Sequence, residues 1–285
     1  MTGVGIRIPA DSIFSSAGMD RISPVDPVVG KGTLLFIEPR LWPMAGVPTS
    51  TVPNQSGWAV DLMGAGASEL TVGNNLTSRS LAERGSMGTM HVAFKRTTNG
   101  TGGTETFVFQ NQTVRNYVAA NQDHEYFLAV SMRPTRIPHG SWNPTPSQRI
   151  LGFPALPFGT SDAMSIRVNT DRSVVTGYPT TDPPRTFVQM LTIRDDSAAA
   201  AGVAAAAFSG TLGEPSESPS LLVFHNGGID SVGMSFKVYF ALMEDLTVSG
   251  RTPEQVMELV NAKHVAQLAV DGAYRGDIVT DPYTL

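Results

Sequence analysis

Five histidines, scattered acids and one polar tryptophan loop are the residues of this sequence whose types could do chemistry. The histidines are His91, His124, His139, His225 and His264, and no two stand at the His-x-His or His-x-x-x-His spacing of a metal pair. No Gly-x-Ser-x-Gly elbow presents a nucleophile, and no Glu-x-Asp-x-Glu strand supplies the paired acids of a glycosidase. Asp195 and Asp196 are neighbours in chain, so their side chains diverge, and with Asp230 they are the only candidates for a calcium loop. No metal site and no cofactor is assigned. Cysteine is absent, which excludes disulfides, thiolate metal sites and thiol nucleophiles together. The expectation is a protein that is not an enzyme.

Two constellations remain. The first is the loop from Arg136 to Gln148, where Trp142 stands between His139 and Asn143. An aromatic ring with amide and imidazole neighbours can hold a sugar by stacking and hydrogen bonds; the plainer readings are a loop tip tucked onto the sandwich or a subunit contact. The second is Glu244, Asp245 and Arg251 around the Ser249-Gly250 turn, just ahead of a helix start. Acids there can accept free helix N–H groups and pair with the arginine, which makes a structural corner.

The elements that must position these residues are mostly strands. Short apolar or alternating runs separated by turn formers extend from Gly32 to Leu242. They include Thr33–Ile37, Trp58–Met63, Glu69–Val72, Met87–Lys95, Glu105–Phe109, Thr113–Ala119 and Glu125–Met132. In the second half come Met164–Val168, Ser173–Tyr178, Phe187–Ile193, Leu221–Phe224 and Met234–Leu242, the last two read as buried central strands. Along Glu125–Met132 both alternating sets are apolar, which predicts a strand covered on both faces. The alanine-rich Ala198–Phe208 is ambiguous and leans to strand because Gly202 and Val203 interrupt it. One helix is expected, over 252–270: Thr252-Pro253-Glu254-Gln255 is a capping box with proline at its first position. The sum is an all-β, two-sheet antiparallel jelly-roll sandwich over 31–285, with a C-terminal helix and an extended N-terminal arm over 1–30.

Composition narrows the partners. Charged residues are 16% of the chain against about 25% in typical soluble proteins. Net charge is −5 without a basic run, so no nucleic-acid partner is expected. Neither a secretory leader nor an apolar stretch of about 18 residues is visible, so neither secretion nor membrane insertion is expected. The Asn-x-Ser/Thr triplets at Asn54, Asn75, Asn99 and Asn111 read as chance products of a Ser/Thr-rich chain. An arm that cannot fold alone, joined to charge-poor strands with edges to cover, predicts a homo-oligomer, with a trimer as the first expectation.

The run from Phe236 through Glu244-Asp245-Leu246-Thr247-Val248-Ser249-Gly250-Arg251 to Val256 resembles the closing motif of concanavalin-A-like (laminin-G-type) jelly rolls in tailed-bacteriophage proteins. Tyr274-Arg275-Gly276-Asp277 stands where that family carries its Gly-rich tail, and Gly5-Ile6-Arg7-Ile8-Pro9 resembles the family's opening. The resemblance covers about the last 65 residues well, the first 20 loosely, and the middle by strand pattern only. It implies a virion component, made in the host cytoplasm, whose partners are copies of itself and other virion proteins. The alternative it leaves open is a receptor-binding lectin contacting host-surface glycan.

Overall fold

The computed structural model describes residues 26–43, 46, 51–74, 80–94, 106–136, 147–154, 162–169, 185–189, 191–192, 201–209, 220–225, 235–282 and 284. Among them the chain is mostly β. The first strands are β1 (Thr33–Ile37), β2 (Thr51–Pro53), β3 (Glu69–Asn74), β4 (Ser80–Arg84), β5 (Met90–Phe94), β6 (Thr106–Gln110) and β7 (Tyr126–Arg136). There follow β8 (Ser147–Pro154), β9 (Asp162–Asn169), β10 (Arg185–Gln189), β11 (Leu191–Thr192), β12 (Gly202–Phe208), β13 (Ser220–His225) and β14 (Ser235–Asp245).

One sheet runs β10-β12-β7-β14-β5-β4, and β1 lies beside the second half of β14 where β5 leaves off. The other runs β11-β9-β8-β13-β6-β3-β2. The described pairings are antiparallel except β11 with β9, which is parallel. Leu128, Val130 and Met132 of β7 share one apolar core with Phe236 and Val238 of β14 and with Val52, Leu70, Val72 and Phe109 of the second sheet. The intervening Phe127 and Ala129 belong to a second core on the other side of the first sheet, with Val256, Met257 and Val260 of a C-terminal helix. The first sheet is therefore covered on both faces, and strand β14 is buried along its whole length.

A register shift between Val238 and Phe240 breaks the alternation of β14. It places Tyr239 and Phe240 in succession in the helix-side core. On β12, the small side chains of Ala205 and Ala207 lie in this same core, while Ala204 and Ala206 lie in the inter-sheet core. The alanine run is a strand because tertiary burial on both faces outweighs alanine's helical preference.

The helices correct the sequence reading. Trp58–Met63 and Thr113–Ala119, expected as strands, lie in helices α1 (Gly57–Met63) and α2 (Gln112–Ala120). Two more follow, α3 (Leu246–Ser249) and α4 (Pro253–Leu268), so one C-terminal helix was too few. The physical reason is capping. Ser56 accepts the N–H of Ala59 and Asn111 accepts that of Val114, each satisfying a donor a helix start leaves open. In α2, Val114 and Val118 are buried four residues apart, a helical spacing that a nine-residue window shows poorly. The capping box of α4 is formed in both directions between Thr252 and Gln255. The stretch Ser173–Tyr178, also expected as a strand, lies outside the described residues.

Candidate functional site

The corner follows directly from the end of β14. Glu244 is fully buried and receives Arg251 in a forked ion pair, Nε to Oε1 at 2.8 Å and Nη2 to Oε2 at 2.5 Å. Burial raises the Glu244 pKa above its ordinary value, and the Arg251 hydrogen bonds oppose that rise. Asp245 caps α3 by accepting the N–H of Val248 at 3.0 Å. Its other oxygen accepts the Tyr117 hydroxyl at 2.8 Å and faces His124 Nδ1 at 2.7 Å. Gly32 sits against this corner with φ +88°, and a Cβ there would come within 2.5 Å of the Asp245 carbonyl oxygen. Only glycine fits that approach.

Arg251 also donates to the Val28 carbonyl at 3.2 Å, and Lys263 of α4 pairs with Asp26 and with buried Glu38. The last five residues of the arm, 26–30, are thereby fixed to the corner and to α4. Residues 1–25 lie outside the described residues, as do Trp142, His139 and Asn143.

The tail beyond α4 returns along the first sheet. Tyr274 is buried, and its hydroxyl donates to the Tyr239 carbonyl at 3.0 Å. Asp277 accepts Met87 N–H at 2.7 Å, the Thr89 hydroxyl at 2.7 Å and Lys237 Nζ at 2.8 Å. Further on, the backbone N–H and hydroxyl of Thr280 both donate to Glu83, at 2.6 and 2.7 Å, and Glu83 meets His91 Nδ1 at 2.8 Å. Burial would raise the Glu83 pKa, but the bonds from His91 and Thr280 outweigh it and hold it low. His91, fully buried and also bonded to Thr135, has its pKa lowered by desolvation against the opposing pull of Glu83.

Between this tail, the end of α4 and the sheet lies a cleft of about 360 Å³. Its polar lining is Arg133 of β7, Lys237 and Tyr239 of β14, and Arg275 and Asp277 of the tail. Sequence reasoning passed over Tyr239 as a site residue. The signal at hand was Lys237, one of four lysines in the chain and the one charge within the apolar stretch Phe236–Met243. Tyr117 and His124 gave no such signal, because they reach Asp245 from more than 120 positions away in the chain.

Asn54 and Asn111 have their side-chain amides spent inside the protein. Asn54 donates to the carbonyls of Leu34 and Ala67, and Asn111 donates to those of Gly66 and Glu69. Among the described residues no group of three or more acids and histidines could hold a metal ion, and no helix is long and apolar enough to cross a membrane.

No family model and no curated protein matches the chain. Among solved structures, Trypanosoma rangeli sialidase matches 81% of this chain at 10% identity with a TM-score of 0.36. The match covers 33% of that protein, so this chain spans about a third of its length. The likeness carries neither a fold family nor an activity to this chain.

Proposed function

We propose that this chain is a non-enzymatic structural component of a tailed-bacteriophage virion, a jelly-roll subunit that assembles with copies of itself, as a trimer, and with other virion proteins. The observation that carries the reading is the contrast between the two outer strands of the first sheet. Tail residues lie against the β4 end, where Thr280 bonds Glu83, and the Ser86 amide donates to the Ile278 carbonyl at 2.9 Å. At the β10 end no strand pairs beyond it among the described residues, and Val188 is 41% exposed. A strand edge that pairs no further described strand and carries an exposed apolar side chain is a template for another chain. Support also comes from the corner, whose acids cap a helix and pair an arginine rather than converging on a cleft.

Light scattering of the full chain tests assembly, and antibody-labelled electron microscopy of intact particles tests its place. A stable oligomer and labels at regular positions on the particle are expected. A monomer at every concentration, with unlabelled particles, overturns the reading. The glycan-binding alternative has its own outcome: Trp142→Ala would preserve assembly and stability while abolishing attachment to host cells.

A further inference from the structure

We propose that the cleft between the C-terminal tail and the helix-covered face of the first sheet is a binding site for a small organic oxyanion, a carboxylate or phosphate on a body the size of one sugar ring. This inference is independent of the role in a particle.

Charge is the first ground. The lining has three cationic side chains, Arg133, Lys237 and Arg275, against the single carboxylate of Asp277, on a chain whose net charge is −5. Lys237 pairs with that carboxylate, so these two charges cancel and the arginines leave the lining net positive. One Asp277 oxygen accepts from Met87 N–H and the other from Thr89 and Lys237. Lys237 in turn spends two donors on Asp277, on its carboxylate at 2.8 Å and its carbonyl at 2.6 Å, out of the three an ammonium carries. A cationic hollow on a chain of net negative charge concentrates anions against the prevailing field.

The second ground is Tyr239. Its side chain is 3% exposed and lines the cleft, yet among the described residues no hydrogen bond reaches its hydroxyl. The hydroxyl oxygen is not among the buried polar atoms left without a partner, so it opens onto the cleft and takes its partner from there. A ligand oxygen in the cleft supplies that partner. Burial, partly offset by the nearby charge of Arg133, pushes the Tyr239 pKa up to about 12, so the hydroxyl stays protonated and acts as a donor.

The third ground is size and shape. A volume of about 360 Å³ lies at the small end of the range for small-molecule sites, roughly 300–1,000 Å³. Leu268 and Ala201 supply an apolar wall for the ligand body, while Arg275, exposed on the tail next to a glycine at φ +73°, stands at the rim. A guanidinium there matches the two oxygens of a carboxylate or the oxygens of a phosphate.

Calorimetric titration of the full chain with glucuronate, glucose 6-phosphate, glucose and inorganic phosphate tests the site, because the three sugars share a ring and differ in the anion. Glucuronate or glucose 6-phosphate should bind, more weakly as salt is raised, and glucose should not. Which of the two binds tighter distinguishes carboxylate from phosphate. Tyr239→Phe, which keeps the ring, should weaken binding about ten-fold. Arg275→Gln, at an exposed position, should weaken it at least as much while the melting temperature stays unchanged. The proposal is overturned if neither sugar anion binds, if glucose binds equally, if inorganic phosphate alone binds as tightly, or if neither variant alters affinity.

Discussion

Strand β14 carries two polar constellations, and they differ in what they leave over. At its C-terminal end, Glu244 and Asp245 are buried with their oxygens engaged by Arg251, Val248, Tyr117 and His124. Toward its N-terminal end, Lys237 is engaged by the tail, but the Tyr239 hydroxyl has no hydrogen-bond partner among the described residues and Arg275 stands exposed beside it. Both regions sit on the same sheet and hold similar residue types. A site whose groups are all spent internally holds the fold, whereas one that keeps a donor back has something to offer a ligand.

Substitutions can break or sharpen this contrast. The largest loss is expected from Phe240→Ala, which empties a fully buried position in the helix-side core and should cost about 3–5 kcal/mol in denaturant unfolding. Arg251→Ala should cost about 3 kcal/mol, since it strands the buried Glu244 carboxylate. It falls at the lower end of the range for a broken buried pair because the Arg251 side chain is 21% exposed and already partly hydrated.

The two tyrosines give the sharpest test. Tyr117→Phe removes a donor to buried Asp245 and should cost about 1–2 kcal/mol. Tyr239→Phe removes a hydroxyl that bonds no other described residue and should change stability by less than about 0.5 kcal/mol. Equal losses from the two would erase the distinction between corner and cleft.

The pH dependence is expected to be the most gradual effect. His91 and His264 both have pKa values lowered by burial, so the unfolded chain binds protons more readily than the folded one. Their contribution is whole above about pH 6.5 and is lost as pH falls through that value toward their folded pKa values. The lowered pKa of Glu83 acts in the same direction further down, below its ordinary value of 4.5. Glu244 acts oppositely: its raised pKa gives stability that is present below 4.5 and lost as pH rises through the folded value. Melting temperature should therefore decline from pH 7 to pH 5, and His264→Gln should flatten part of that decline. A rise over the same range would contradict the burial of both histidines.

Many of the strands were legible without coordinates, because alternation and turn chemistry are local signals. Glu125–Met132 was legible as a strand covered on both faces and Met234–Leu242 as a central strand, and Thr252-Pro253-Glu254-Gln255 spelled out a helix start whose two hydrogen bonds are made within four residues. The short helices α1 and α2 were not legible from their apolar text, since over seven to nine residues a buried helical face and a strand show much the same pattern. Their caps at Ser56 and Asn111 were the better guide.

By itself the sequence determined the predominance of strands, the lack of any thiol chemistry, the position of α4 and the grouping of Glu244, Asp245 and Arg251 within eight residues. Only the tertiary structure decided that Tyr117 and His124 complete that corner, that Asp277 returns to Lys237, and that Tyr239 is left with a hydroxyl to give. The reason lies in the range of the interactions. Turns, caps and alternation are set by neighbours in the chain, whereas a buried hydrogen bond joins whichever groups the packed sheets bring within about 3 Å of each other.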